Sequence, residues 1–336
     1  MAKVGILGAG SWGTALSLLL YNNGHEITVW SIDKTEVEML QKEREHKSKL
    51  PGVSIPQEIM ITNDLEEGMR EKDFLVLAVP SVFTRSTARS MKPYIQTGQK
   101  IVNVAKGIEE DTLMTLSEQI EEELPEANVA VLSGPSHAEE VGRRLPTMCV
   151  VGAKSKETAE YLQQAFMNEY FRVYISSDIM GIEIGGALKN VIALAAGMAD
   201  GLGYGDNTKA ALITRGIAEI TRLGVKMGGK AETFQGLTGI GDLIVTCAST
   251  HSRNRKAGYL MGQGMTMKEA MNEVQMIVEG VYSAKAGLAL AEKHAVPMPI
   301  IEQINRVLFE DKNAAEAVRE LMIRDAREEN SNISWK

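Results

Sequence analysis

The chain has 336 residues, 44% of them hydrophobic, and a formal net charge of −8. That length and apolar content suit two folded domains and exclude a disordered chain. The negative balance excludes a general nucleic-acid binder, which needs a strong positive field. In chain order, Met1-Ala2-Lys3 runs directly into the apolar Val4–Gly8, which reads as a first strand rather than a secretory leader. Further strand-type runs are Ile27–Trp30, Phe74–Val79, Ile101–Ala105, Val129–Leu132, Met148–Val151 and Arg172–Ile175. Helical patterns lie between them, and such alternation predicts βαβ units and a largely parallel sheet. Near Ser176–Asp178 the pattern changes. Long helical segments follow at Ile179–Asp200, Lys209–Met227 and Ala284–Lys293, with Asn313–Arg327 as a closing helix. The expectation is an α/β domain over residues 1–177, an all-α C-terminal domain over 178–330 and a polar tail over 331–336.

Apolar stretches such as Val76–Val79 and Ala193–Ala196 are far below membrane-spanning length, so no span is expected. The methionines between Met261 and Met276 read as flexible core filler. Cys149 and Cys247 form no C-x-x-C pair, which points away from a disulfide framework and towards a reducing compartment, the cytoplasm. The five histidines show no metal-ligand spacing, so no metal is expected.

Gly8-Ala9-Gly10-Ser11-Trp12-Gly13 is a G-x-G-x-x-G that follows an apolar strand and opens a helical pattern, Thr14–Leu20. In that setting Gly8 allows the tight turn, Gly10 the approach of a pyrophosphate, and Gly13 close helix–strand packing. The helix N-terminus attracts the phosphates. Asp33, 20 residues after Gly13, stands where an acid bonds the adenosine ribose. These features make the first domain Rossmann-type, with NAD or NADP as cofactor. Asp33 would repel a 2′-phosphate and Lys34 would attract one, so both cofactors stay open.

An acidic protein with an anionic substrate must gather positive charge locally. Lys189 lies in Gly185-Gly186-Ala187-Leu188-Lys189-Asn190, where no acid sits at helical spacing to pair with it. A lysine desolvated among small residues has a lowered pKa and suits proton donation to a carbonyl. The alternative is a lysine that reaches solvent along its stem. Lys106 and Ser133-Gly134-Pro135-Ser136 follow strand runs, at the end of a parallel sheet where ligands bind; Lys106 reads either as a second cation near the reacting oxygens or as a plain loop lysine. Ser136 also reads as a helix cap. Gly236–Asp242 reads as a glycine-rich turn, with Asp242 either orienting Lys189 or capping a helix. His251-Ser252-Arg253-Asn254-Arg255-Lys256 opens a helix through Met261 with cations, against the helix dipole; a bound phosphate would resolve that conflict, and a solvated basic patch is the alternative.

The chain resembles bacterial-type NAD(P)-dependent glycerol-3-phosphate dehydrogenases over nearly its whole length. The resemblance is carried by GAGSWGTAL at Gly8–Leu16, AVPS at Ala78–Ser81, AKGIE at Ala105–Glu109 and SGPSHAEEV at Ser133–Val141. It continues through ALKNVIALAAG at Ala187–Gly197, GIGDL at Gly239–Leu243, SRNR at Ser252–Arg255 and VEG at Val278–Gly280. It implies hydride transfer from NAD(P)H to dihydroxyacetone phosphate, giving sn-glycerol 3-phosphate for glycerophospholipid synthesis. It implies Lys189 as general acid/base, and Lys106 as a contact to both cofactor and substrate. Gly134, Ser136, Asp242, Ser252, Arg253 and Asn254 are implied substrate contacts. Ser11, Trp12, Ala138, Arg253, Val278 and Glu279 are implied cofactor contacts. Some members of the family carry His or Arg after the second strand, where this chain has Ser31-Ile32-Asp33-Lys34. A homodimer is compatible with the family. Two other readings share the architecture: a dehydrogenase for another small hydroxy or sugar acid, and a nucleotide sensor without turnover.

Overall fold

The computed structural model describes residues 1–326, 328 and 329. Ten strands lie within the first 176 residues: β1 (Lys3–Leu7), β2 (Glu26–Trp30), β3 (Glu45–His46), β4 (Leu50–Ser54), β5 (Met60–Thr62), β6 (Phe74–Leu77), β7 (Lys100–Asn103), β8 (Asn128–Ser133), β9 (Thr147–Ala153) and β10 (Phe171–Ser176). Among them run helices α1 (Ser11–Asn22), α2 (Lys34–Glu43), α3 (Leu65–Met69), α4 (Thr84–Met91), α5 (Leu116–Glu123), α6 (Ala138–Gly142) and α7 (Lys156–Phe166). The remainder of the described chain is helical: α8 (Ile179–Gly201), α9 (Asp206–Lys226), α10 (Ala231–Phe234), α11 (Asp242–Ala248) and α12 (Arg253–Gly262), then α13 (Met267–Val274), α14 (Glu279–Lys293), α15 (Pro299–Phe309) and α16 (Ala314–Met322).

Eight strands form one sheet in the order β10-β9-β8-β7-β6-β1-β2-β5. All its pairings are parallel except β8 with β9, so the sheet is mixed at that end. β1 pairs with β2 on one side and with β6 on the other, which places the reversal of strand order at β1 and β6. In open α/β sheets ligands bind at such a reversal, beyond the carboxyl ends of the strands. β1 and β6 are covered on both faces, and Val4, Ile6, Phe74 and Val76 are fully buried. Burial on both faces is why these strands are continuous apolar runs rather than alternating ones. One core lies beneath α1 and α7, the other beneath α4 and α5.

β3, β4 and β5 were not expected from the sequence. Each is short, and β4 carries Pro51 and Gly52 in its middle, which weakens any strand signal. The closing helix ends at Met322, five residues short of the expected Arg327, which lies outside the described residues, as does the tail 331–336.

The second core surrounds α8. This helix is long and apolar enough to cross a membrane by length and composition, which corrects the expectation that no such stretch exists. Its most apolar window is 94% buried inside the protein, so the apolar circumference is a core property. The close pairing of α8 with α12 has a specific cause. Gly197 and Gly201 on α8 face backbone of α12, while Gly258 and Gly262 on α12 face backbone of α8; a Cβ at any of the four would strike a carbonyl oxygen. Two small-residue faces spaced by four thus bring the helix axes together and hold the start of α12 beside the middle of α8.

Candidate active site

The glycine loop joins β1 to α1 with the three glycines in different roles. Gly8 has φ +122°, and a Cβ there would lie 2.6 Å from the Ala78 carbonyl oxygen. A Cβ at Gly13 would run into the Gly8 carbonyl oxygen. A Cβ at Gly10 would meet nothing within 4 Å. Gly10 is the N-cap of α1, no side chain caps that end, and no acid occupies its first turn, Ser11 and Trp12 included. An open approach to uncapped N–H groups fits a dinucleotide pyrophosphate.

At the ribose end, Asp33 caps α2 by accepting from the Thr35 (2.9 Å) and Glu36 (3.3 Å) amides. Lys34 is turned along the helix towards Glu38, 3.9 Å away. Ser31 donates to Glu36 (2.6 Å), which also holds His46 (3.0 Å) and Lys49. Burial pushes the Glu36 carboxyl up, but these partners more than reverse it and bring it down to about 2.

Ala138 opens α6 and Val278-Glu279 opens α14; Ala138 and Val278 are buried. Glu279 accepts from the Ser81 amide (3.1 Å) and the Ser81 hydroxyl, which ties the loop after β6 to the helical region. Burial raises its pKa above the ordinary carboxylate range.

Lys189, Lys106 and Asp242 come together from three elements. Asp242 is in the first turn of α11, reached through a turn of π-helix at Leu237–Gly241 rather than the open glycine turn expected. Its Oδ1 accepts from Lys189 Nζ and its Oδ2 from Lys106 Nζ, both at 2.6 Å. Asp242 caps nothing; the N-cap of α11 is Gly241. Lys106 Nζ also donates to the Gly134 carbonyl (2.9 Å). Ser136 donates to the same carbonyl (2.9 Å) and is not a helix cap, since His137 holds that position. Lys189 does not reach solvent: its side chain is 8% exposed, against 18% for Lys106. Burial, aided by the charge of Lys106, lowers the Lys189 pKa to about 8 although Asp242 opposes it. Burial also pushes the Asp242 carboxyl up, but the two lysines outweigh this and hold it below its ordinary value. The cluster is therefore an ionised carboxylate shared by two ammonium groups, one of them easily deprotonated.

At α12, Ser252 caps the helix by accepting from the Arg255 amide (3.2 Å). Arg255 pairs with Asp200 (2.6 Å), which also holds Lys209 (2.9 Å). Arg253 is exposed, donates to the Ile277 carbonyl (3.3 Å) and makes no ion pair among the described residues. The Asn254 side chain is used internally: Nδ2 donates to Asn190 Oδ1 (3.0 Å), and Oδ1 accepts from the Gly280 amide (2.8 Å).

Two neighbours escape the sequence reading. Thr246 accepts from Lys189 Nζ (2.7 Å) and donates to the Asp242 carbonyl (2.6 Å), so two of the three ammonium hydrogens are fixed. Its only signal is the four-residue spacing from Asp242. Asn190 follows Lys189 and links α8 through Asn254 to α14. Cys149 and Cys247 are buried, and burial raises both thiols to about 12, which leaves them packing roles.

Models of the NAD-dependent glycerol-3-phosphate dehydrogenase N-terminus and C-terminus match residues 3–159 and 178–319. The chain is 68% identical, over the full length of both proteins, to a glycerol-3-phosphate dehydrogenase [NAD(P)+] of Agathobacter rectalis. It is 63% identical to the enzyme of that name from Fusobacterium nucleatum, covering 97% of this chain and 98% of that protein. The crystal structure of glycerol-3-phosphate dehydrogenase from Coxiella burnetii superposes with a TM-score of 0.93 at 38% identity, covering 96% of this chain and 99% of that one. Matched by both family models and by full-length relatives, the chain belongs to the NAD-dependent glycerol-3-phosphate dehydrogenase family.

Proposed function

We infer that the protein reduces dihydroxyacetone phosphate to sn-glycerol 3-phosphate with NADH or NADPH, reversibly, and supplies glycerophospholipid synthesis. The observation that carries this reading is the buried Lys189 ammonium, fixed by Asp242 and Thr246 with one hydrogen left over. Residues 1–177 would hold the dinucleotide through Gly8, Gly10, Gly13, Ser11, Trp12, Asp33 and Ala138, with Val278 and Glu279 of the helical half joining them. Residues 178–330 would complete the substrate site. When bound, the reduced nicotinamide supplies the hydride.

The chain's own residues then have separate tasks. Lys189 gives its remaining proton to the carbonyl oxygen as that oxygen gains charge. Asp242 keeps the ammonium aimed and, by sharing its charge, prevents Lys106 and Lys189 from repelling one another apart. Lys106, held to Gly134 beside Ser136, supplies a second positive charge to the substrate oxygens. Arg253 and the free amides at the start of α12 take the phosphate. Ser252 keeps that end of α12 formed. In the reverse direction neutral Lys189 accepts the hydroxyl proton. The setting we propose is the cytoplasm, with a homodimer as the assembly.

The test is the absorbance of reduced nicotinamide while the protein meets dihydroxyacetone phosphate, with NADH and NADPH in parallel. Fast oxidation of either is expected. The ratio of the two kcat/KM values reports whether Asp33 or Lys34 governs the ribose. Folded, cofactor-binding protein that oxidises neither would reject the reading in favour of another hydroxy acid or a sensor.

A further inference from the structure

His137 stands in the loop between β8 and α6, one residue after Ser136. Its Nε2 is buried and has no hydrogen-bond partner. A buried ring nitrogen left unpaired is costly, and such an atom marks a place where a ligand atom or water belongs. The charged groups acting on this ring are those of the site itself: Lys189 from α8, Asp242 from α11 and Lys106 from the loop after β7, together with Glu139 from α6. The ring lies 5.9 Å from that of His251, centroid to centroid. His251 immediately precedes Ser252 and Arg253 at the start of α12. The two rings thus come from the two halves of the molecule and lie against one another near the lysine–aspartate cluster and the start of α12.

We propose that His137 is a substrate-binding residue whose Nε2–H donates to the phosphate end of the bound three-carbon ester, with His251 closing over the same group from the other half. The proposal rests on the reading that the substrate carbonyl meets Lys189 and its phosphate meets Arg253. Burial, then the charge of Lys189, holds the His137 pKa below its ordinary value against the opposing Glu139 and Asp242. The ring is thus neutral near neutral pH and carries one N–H to give. The carbonyl oxygen already has Lys189 as its donor, whereas a phosphate dianion has many lone pairs to fill and gains most from one more N–H. A histidine after Ser136 has no metal-type or triad-type spacing, so spacing alone does not mark this role.

The experiment compares His137→Phe with His137→Gln in the full-length protein. Glutamine places an amide N–H near the position of Nε2, and phenylalanine keeps the ring without the donor. His137→Phe is expected to raise the KM for dihydroxyacetone phosphate by about tenfold or more. The KM for the nicotinamide cofactor should stay at the wild-type value, and His137→Gln should recover most of the loss. Inorganic phosphate supplies a readout that needs no turnover: its protection of wild-type protein against thermal unfolding should weaken by the same factor in His137→Phe. His251→Ala should weaken it to a smaller extent. An unchanged phosphate effect in His137→Phe would overturn the proposal. So would an equal loss on the cofactor side, or a glutamine variant no better than phenylalanine. Failure of wild-type turnover with the phosphate effect intact would instead strike the proposed reaction.

Discussion

The two regions proposed to meet anionic groups are built in opposite ways. At α1 the chain provides bare backbone: a glycine N-cap, no acid in the first turn and open space where a side chain would stand. At α12 the helix end is already capped by Ser252, and Arg255 is neutralised by Asp200. What remains there is Arg253 and two amides. The difference follows from what each site must do. A pyrophosphate held throughout a cycle needs close, uniform contact, which backbone gives. A substrate phosphate that must enter and leave beside a reacting carbonyl is better met by one exposed side chain near a rigid charged cluster.

The sharpest way to break this comparison is to remove the cluster. Lys189→Ala should lower kcat about 10²–10³-fold, the usual loss for one donor to a developing oxyanion. Steady-state rates at saturating substrate check it, and a loss below about tenfold would remove Lys189 from the chemistry. Next, Arg253→Ala should raise the KM for dihydroxyacetone phosphate by about 10–100-fold, the range for a hydrogen bond to a charged group. An unchanged KM would place the phosphate elsewhere.

On the backbone-built side the glycines separate binding from folding. Gly10→Ala should leave the thermal midpoint unchanged but weaken cofactor binding about tenfold, or ~1.4 kcal/mol. Gly13→Ala should lower the midpoint, because its Cβ would strike the Gly8 carbonyl. Equal effects of both on stability would erase the distinction. The smallest effect concerns pH. With Lys189 at about 8 in the free protein, kcat/KM for reduction should fall as pH rises through that value, since the proton donor is lost. Its stability contribution has the opposite sign. The folded pKa lies below the ordinary 10.5, so the unfolded chain holds more protons between about 8 and 10.5. Stability from this group therefore rises with pH across that window, and Lys189→Met should flatten the rise in a thermal-unfolding series.

Much of the fold was legible because its signals are local. The glycine loop is one motif, and the change from strand runs to long helices marks where the second half begins. Lys189 stood out because no neighbour on its own helix neutralises it. The missing parts are those that need two elements at once. Thr246 looks like any helical threonine until α11 is laid against α8. The pairing of Gly197 and Gly201 with Gly258 and Gly262 is visible only when two helices more than fifty residues apart in sequence are known to touch. Asn254 was expected at the helix start, but the bonds of its amide group to Asn190 and Gly280 were not readable from the sequence. Asp33 was placed at the ribose by spacing, while its use as the α2 cap was not anticipated.

The burial of α8 has a consequence during synthesis. Residues 179–201 are made before α9, α11, α12 and α14, the helices that later enclose them. Until those have left the ribosome, a helix of membrane-like hydropathy has much of its surface uncovered. The helical half must therefore collapse quickly and in one piece, and its late segments act as an internal cover for an early one. A chain ended after residue 230 lacks α11, α12 and α14, and it should aggregate or bind detergent even though its sheet and glycine loop are complete.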